Sequence, residues 1–317
     1  MITLPDFKQK KILTVIAEYG QKNLLQLRND NIRFIRDEVL VDQISLHLIF
    51  AVLIIGDMTI TTSLIKKLSQ NGISILFLNH NLSIKASAMT GVEGNYLLRE
   101  KQYLDTNALE ISKNFVINKI RSQEKILKLT GKQYEVEVFK KTIQSIADLS
   151  SNDELLGNEG NISKIYFGIL FSEIEWVRRA PQTKLDIPNL LLDIGYSYLF
   201  NYCDALLKVF GFDTYKGYYH QLFFQRKSLS CDVMEPMRPI IDYQLLKSYH
   251  LGQIKPKDFA FKNGRFEFKD GFKTSKLYSS IFLGIINERK NDIYKYILGF
   301  YRYVMDNKKY KFPEFKV

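Results

Sequence analysis

Over the first ninety or so residues the apolar positions run in short blocks or alternate with polar ones, which is the period of strands. Residues 11–17 and 24–27 are short apolar segments. Residues 31–41 alternate, with Ile32 and Phe34 and then Val39 and Val41 on either side of a charged bend at Asp37-Glu38. Residues 44–55 are β-branched and read as a buried strand, interrupted by His47. Residues 61–70 switch to helical spacing in Leu64, Ile65 and Leu68, and Asn71-Gly72 stops them. Residues 73–78 and 82–89 predict two more strands, completing a small sheet or sandwich with one helix.

Past Gly91 the period becomes that of helices. In residues 95–128, Leu97, Leu98, Leu104, Leu109, Ile111, Phe115 and Ile120 recur at helical spacing among many Lys and Arg. Further helices are predicted over residues 133–149, 162–179, 188–209, 229–249 and 275–306. Residues 255–273 alternate around Asn263-Gly264, a hairpin signal. The basic, aromatic tail 307–317 reads as loosely held. The expected fold is α+β: a β-rich N-terminal domain, residues 1–91, and a larger all-helical domain, residues 92–317.

Composition narrows the class. Of 317 residues 46% are hydrophobic and 25% charged, enough apolar surface for a core and too much for a disordered chain. Lys and Arg number 45 against 34 Asp and Glu, a net charge of +11 that favours polyanions, nucleic acid before anionic membrane. Two cysteines, Cys203 and Cys231, in separate segments argue against a disulfide framework and a Cys-type zinc site. The start of the chain has no apolar leader and no stretch suits a bilayer, so a cytoplasmic protein is expected.

Four histidines can each be weighed. His47, in an apolar strand, reads as packed; His80, in the turn Asn79-His80-Asn81, and His250, at a helix end, also read as structural. His220 differs. It follows Gly217-Tyr218-Tyr219 and precedes Asp232 and Glu235 by twelve and fifteen residues. If Ser228 caps a helix, these acids stand three apart on one face, with Arg238 three further on and a kink at Pro236. Like charges so close repel unless a cation lies between them. Oxygen ligands with one imidazole suit Mg²⁺ or Mn²⁺. The alternative is that both acids are solvated and His220 is an ordinary turn residue; spacing does not rank Asp232 against Glu235. Glu159, in Gly157-Asn158-Glu159-Gly160-Asn161, is a weaker third candidate, its glycines allowing close approach of a backbone or ligand; Asp153 or Glu154 would serve as well.

Together these segments resemble a known family. Gly157-Asn-Glu-Gly-Asn161 is similar to its Glu-Gly metal-ligand motif, and Asn189-Leu-Leu-Leu-Asp-Ile-Gly-Tyr196 to its Asn-x5-Gly-Tyr helix. Gly211-Phe-Asp with Gly217-Tyr-Tyr-His220 resembles its Gly-(Leu/Phe)-Asp…Gly-(Phe/Tyr)-x-His segment. Ser228-Leu-Ser-Cys-Asp-Val-Met-Glu-Pro-Met-Arg-Pro239 resembles its Asp-(Leu/Phe)-Met-Glu helix, and Gly94-Asn95, Arg99 and Gln102 also fit. The family is the CRISPR-associated endonuclease and integrase of spacer acquisition. Asp193, where a small residue is common, and Ile162-Ser163, where two alanines are usual, depart from its pattern.

The resemblance implies a divalent-metal site of Glu159, His220 and Glu235, with Asp232 as a further ligand or water-holder and Mg²⁺ or Mn²⁺ as cofactor. It implies a homodimer that uses the N-terminal domain for dimer or partner contacts, and a small ferredoxin-like partner protein. The implied reaction transfers a DNA 3′-hydroxyl onto a phosphodiester at the boundary of CRISPR repeat DNA, with double-stranded DNA fragments as the other substrate. Arg178, Arg179, Lys184 and Arg238 are candidate phosphate contacts; Arg178-Arg179 reads equally as a solvated helix end, and the basic face from Lys113 to Lys141 mostly as solvated. Two alternatives stand beside this reading: a stand-alone structure-selective DNA nuclease, and a non-catalytic DNA-binding scaffold whose acids are structural.

Overall fold

The computed structural model describes residues 10–79, 84–88, 95–220, 223–269 and 272–317. The chain forms two compact units: residues 1–100 with 205–212, and residues 101–204 with 213–317. His80 and Gly94 lie outside the described residues.

The first unit carries two four-stranded sheets and a helix. β1 (Lys11–Ile16), β5 (Ile49–Ile55) and β7 (Ser74–Leu78) run parallel, and β8 (Ile84–Ala88) closes that sheet antiparallel to β7. In the other, β4 (Val39–Ser45), β3 (Asn31–Arg36) and β2 (Asn23–Arg28) form an antiparallel meander, with β6 (Thr59–Ile60) parallel to β2. Both meander turns are two-residue hairpins at positive φ, Asn29-Asp30 and Asp37-Glu38, so the charged bend is a hairpin turn. α1 (Thr62–Gln70) starts where Thr61 Oγ1 accepts from the Leu64 amide at 3.4 Å and buries Leu64 and Leu68. Leu25, Ile32, Ile49, Val52 and Ile75 share its core. The predicted strand 44–55 is broken by a 3-10 turn, Leu46–Leu48, which sends His47 to the surface and not into the core.

The second unit is helical apart from one hairpin. The predicted helix 95–128 is two, α2 (Tyr96–Leu104) and α3 (Ala108–Leu129), because Asp105 accepts from the Asn107 amide at 2.7 Å and turns the chain. α4 (Val136–Ile146) follows. α5 (Asn152–Leu170) starts ten residues earlier than the expected helix 162–179 and ends nine earlier. Ser151 caps it by accepting from the Glu154 amide at 3.3 Å, and Leu155, Ile162, Tyr166 and Leu170 form its buried stripe. Residues 171–186 then form no regular element, so Arg178-Arg179 is no helix end.

α6 (Ile187–Phe210) passes Ile241 and Phe282 at Gly195, where an added Cβ would lie 2.5 Å from Ile241. α7 (Ser228–Met234) passes through a 3-10 turn, Glu235–Met237, into α8 (Arg238–His250). This is the kink expected at Pro236. Lys227, not Ser228, takes the cap position of α7. β9 (Phe259–Lys262) and β10 (Arg265–Phe268) form the hairpin around Asn263-Gly264. α9 (Phe272–Glu288) and α10 (Lys290–Met305) divide the predicted 275–306 helix at Arg289.

The tail is docked, contrary to the expectation of a loose end. The Phe312 ring packs on Phe115, Phe300 and Tyr303, and Phe315 is buried. The Asn118 side chain donates to the Pro313 carbonyl and accepts from the Phe315 amide, each at 3.1 Å. The aromatic residues that made the tail unusual are its anchors. Among the described residues no helix is long and apolar enough to cross a membrane.

Candidate active site

The second unit brings Glu159, His220, Asp232, Glu235 and Arg238 together. Glu159 lies in the middle of α5, whereas the helix expected in this region began only at residue 162. Nothing stands within 4 Å of a Cβ added at Gly157 or Gly160, so no other backbone approaches either glycine closely. Position 163, one of the departures from the family pattern, contributes directly: Ser163 Oγ donates to Glu159 Oε1 at 2.7 Å and accepts from Gln123 Nε2 at 3.2 Å.

His220 ends a loop held from below by α2. Gln102 Nε2 donates to the carbonyls of Asp213 and Lys216 at 2.7 Å, and its oxygen accepts from the Asp213 amide at 3.1 Å. The loop then wraps around Asp232. The amides of Tyr218 and Tyr219 donate to Asp232 Oδ2 at 2.6 and 3.1 Å, and the His220 amide donates to Oδ1 at 2.9 Å. Gly217 permits this wrapping, since a Cβ there would lie 2.7 Å from both Asp232 Oδ2 and Ser228 Cβ. His220 Nδ1 is 2.6 Å from Asp232 Oδ1. A carboxylate surrounded by donors has no proton to offer, so Nδ1 carries the hydrogen and Nε2 is the nitrogen turned towards Glu235. Tyr219 packs edge-on against the imidazole, with ring centres 5.0 Å apart.

Glu235 lies in the 3-10 turn, buried to 3% exposure. Its Oε1 is 3.9 Å from His220 Nε2 and 2.9 Å from Arg238 Nε; its Oε2 is 2.7 Å from Lys119 Nζ. Lys119, on α3, also pairs with Glu159 Oε1 and so bridges the two glutamates. The Arg238 and Lys119 contacts to Glu235 act as charge: neither Arg238 Nε nor Glu235 Oε2 has an aligned hydrogen bond, although both are buried. Burial alone would raise the Glu235 carboxyl, but Arg238, Lys119 and His220 outweigh it and hold it down to about 2. Burial would lower the Lys119 ammonium, and Glu159 and Glu235 overcome that and raise it.

A second tier supports these groups. Arg238 and Arg179 stack on the Tyr196 ring, 4.8 and 5.3 Å from its centre. The hydroxyls of Tyr196 and Tyr166 both donate to Asp242, Tyr166 at 3.1 Å. Burial dominates the Asp242 carboxyl and lifts it to about 6 despite both donors. Asn189, fully buried, ties down the loop ahead of α6: it accepts from the Ala180 amide at 2.9 Å and from Arg179 Nη1 at 2.8 Å. Asp193, the other departure from the family pattern, pairs with Arg179 at 2.6 Å.

A cleft of about 700 Å³ opens on the cluster, lined by Lys119, Glu159, Glu235, Arg178, Arg179 and Arg238 among others. Arg178 is exposed there, whereas Arg179 is held by Asn189 and Asp193. Lys184 lies outside that lining; its carbonyl accepts from the Phe266 amide at 2.8 Å. His250 pairs with Glu173 at 3.1 Å on the surface. The sequence reading passed over Lys119 and Asp242. Lys119 left a signal: it stands four residues after Phe115 and seven before Ile126, on a stripe otherwise buried. Nor is the basic face solvated throughout, since Lys113 is also buried and donates to the Ala147 carbonyl at 2.7 Å. Among the described residues no three His, Cys, Asp or Glu side chains are drawn up around one point as an ion cage.

A profile of the family described as CRISPR associated protein Cas1 matches residues 16–277. The CRISPR-associated endonuclease Cas1 1 of Thermodesulfovibrio yellowstonii is 34% identical over 222 residues, which is 63% of this chain and 70% of that protein. Two solved structures share the fold. The partial Cas6-RT-Cas1–Cas2 complex has a TM-score of 0.77 at 21% identity, covering 96% of this chain and 98% of that one. A casposase bound to integration product has a TM-score of 0.72 at 20% identity, covering 97% and 100%. With its sequence matched by the profile over most of its length, the chain belongs to the CRISPR associated protein Cas1 family.

Proposed function

We propose that this chain is a divalent-metal-dependent DNA integrase with endonuclease activity, which transfers a DNA 3′-hydroxyl onto a phosphodiester at a CRISPR repeat boundary. The observation that carries this reading is the convergence of Glu159 and Glu235 at a cleft lined with arginines, with His220 Nε2 facing Glu235 at 3.9 Å. The family relation supports it: the similar protein of Thermodesulfovibrio yellowstonii is named an endonuclease, and a structural neighbour holds an integration product.

The residues fit a hard divalent ion. His220 spends Nδ1 on Asp232 and turns Nε2 towards Glu235, Glu235 Oε2 is buried without an aligned hydrogen bond, and the donors are oxygens with one imidazole, a set suited to Mg²⁺ or Mn²⁺. Glu159, His220 and Glu235 would hold the ion; Asp232, its lone pairs filled by three amides and the imidazole, orients His220 and is not the ligand. A bound metal would supply Lewis acidity, stabilising charge on the phosphate and lowering the pKa of the attacking hydroxyl. The chain's own residues do the rest. Arg178 and Arg238 offer positive charge to the DNA backbone without reading sequence. With water in place of the hydroxyl, the same arrangement hydrolyses DNA.

Partners follow the same reading: a homodimer, double-stranded DNA fragments, repeat DNA, and a small ferredoxin-like partner protein. The test is a joining assay with labelled DNA fragments, Mn²⁺ and the partner protein. His220→Ala is expected to abolish joining while DNA binding, read by filter retention, persists. Full joining by His220→Ala and Glu235→Ala alike would overturn the site.

A further inference from the structure

Lys119 has no part in the ligand set, yet it touches two of the three proposed ligands. Its ammonium contacts one oxygen of Glu159 and, at 2.7 Å, one oxygen of Glu235. The other oxygen of Glu235 faces His220 Nε2 at 3.9 Å, and the other oxygen of Glu159 has no donor among the described residues. Each carboxylate therefore gives one oxygen to the lysine; the second oxygen of Glu235 is paired with Arg238 Nε at 2.9 Å, and that of Glu159 is left over. The lysine side chain is only 13% exposed, and α3 carries it in a stretch where Phe115, Val116 and Ile120 are fully buried. A buried ammonium is retained only where fixed negative charge compensates its lost hydration.

Charge balance agrees with this division. Glu159, Asp232 and Glu235 face two fixed cations, Lys119 and Arg238, leaving one net negative charge. One divalent ion turns that into one net positive charge, matched to a phosphodiester. Two divalent ions would leave a strongly cationic cluster with too few free carboxylate oxygens to ligate both.

We propose that Lys119 is a built-in cation of the cluster: it stands in place of a second divalent ion, holds Glu159 and Glu235 side by side before metal arrives, and restricts the site to one metal per chain. This rests on the metal-dependent reading above. Lys119 is a positioning residue, and its ammonium repels the incoming ion even as it preorganises the ligands. Because its charge is already present, the metal-free site is stable and binds its ion less tightly than the bare carboxylates would.

The test uses Mn²⁺ alone with the full-length protein, followed by electron paramagnetic resonance and thermal unfolding. Wild type is expected to bind one Mn²⁺ per chain. Lys119→Met, nearly isosteric and uncharged, is expected to lower the Tm of metal-free protein by about 5 °C or more, to bind Mn²⁺ about tenfold more tightly, and to gain more Tm from Mn²⁺ than wild type does. Should Lys119→Met not fold without metal, the double variant Lys119→Met with Glu159→Gln decides. Recovery of most of the wild-type metal-free Tm supports the assignment, because the carboxylate left unpaired is gone; a double variant that also fails to fold without metal overturns it. Binding of two ions by wild type, or unchanged or weaker binding by Lys119→Met, overturns the role of Lys119 and leaves the metal site standing. Absence of stoichiometric Mn²⁺ binding by wild type instead overturns the metal-dependent reading itself.

Discussion

Asp232 and Glu235 stand three residues apart, both buried, yet they serve opposite purposes. Asp232 is saturated by hydrogen-bond donors: three backbone amides of the 218–220 loop and the Nδ1 of His220. Glu235 is surrounded by charge, with Lys119 on one oxygen and Arg238 on the other. Hydrogen bonds from a loop fix a shape, so Asp232 is a building element. Compensation by cationic side chains, without aligned hydrogen bonds at Glu235 Oε2 or Arg238 Nε, fixes a charge more than a direction, so Glu235 can exchange partners. The same contrast recurs deeper in the cleft. Asp242, bound by two tyrosine hydroxyls, is lifted to about 6, whereas Glu235 is held at about 2. Burial pushes both carboxyls up; cations in contact reverse that at Glu235, whereas the two phenol hydrogen bonds offset it only in part at Asp242.

The largest effect that would sharpen this contrast is on joining. Glu235→Ala is expected to lower Mn²⁺-dependent strand joining on the order of 10³-fold or more at unchanged DNA affinity, measured in single-turnover assays. If Asp232→Asn, which keeps the shape, costs as much as Glu235→Ala, the division between builder and ligand is wrong; a loss of about 10–100-fold is expected for it. Asp232→Ala acts instead on stability. It strands three amide donors and is expected to cost about 3 kcal/mol or more in urea unfolding.

The pH dependence separates Asp242 from Glu235 next. Asp242 rises in the fold above its ordinary 3.8, so the stability it contributes is complete below 3.8 and is lost as pH rises through about 6. Asp242→Asn mimics the protonated form and is expected to stabilise the protein at pH 8 by on the order of 2 kcal/mol, with the gain gone by pH 4. Glu235 is lowered from 4.5, so its contribution is present above 4.5 and lost as pH falls towards about 2. Glu235→Gln is therefore expected to be destabilising at pH 7 and to converge on wild type in acid. Unfolding curves at several pH values that showed the same sign for both variants would break the comparison. The smallest effect is at the rim: Arg178→Ala is expected to reduce the salt slope of DNA binding by about 1 and leave single-turnover joining at saturating DNA unchanged.

Much of this was legible along the chain. Strand alternation, the turn at Asp37-Glu38, the hairpin at Asn263-Gly264 and the break at Pro236 are local effects of side-chain period and backbone preference, and they lie where the pattern put them. Errors arose where local preference met packing. The helix expected from residue 162 left Glu159 outside it, but the stripe Leu155, Ile162, Tyr166 and Leu170 buries one face of the whole segment and draws it into the helix despite its glycines. The tail looked loose because its aromatic residues had no visible partner; Phe115 and Phe300 supply one from helices far away in sequence. His47 looked buried because a single 3-10 turn inside an apolar run cannot be read from composition.

The sequence by itself determined the α+β layout and the family motifs, because these depend on residue type and short-range spacing, and the resemblance those motifs carry pointed to Glu159, His220 and Glu235. Only the tertiary structure decided which acid builds and which is free to bind, because that depends on donors brought from other elements: amides of the 218–220 loop for Asp232, and for Glu235 an ammonium from α3, 116 residues earlier in the chain. Lys119 carries no motif. Its role exists only because folding lays it between two carboxylates, where removal from water makes one buried charge depend on another.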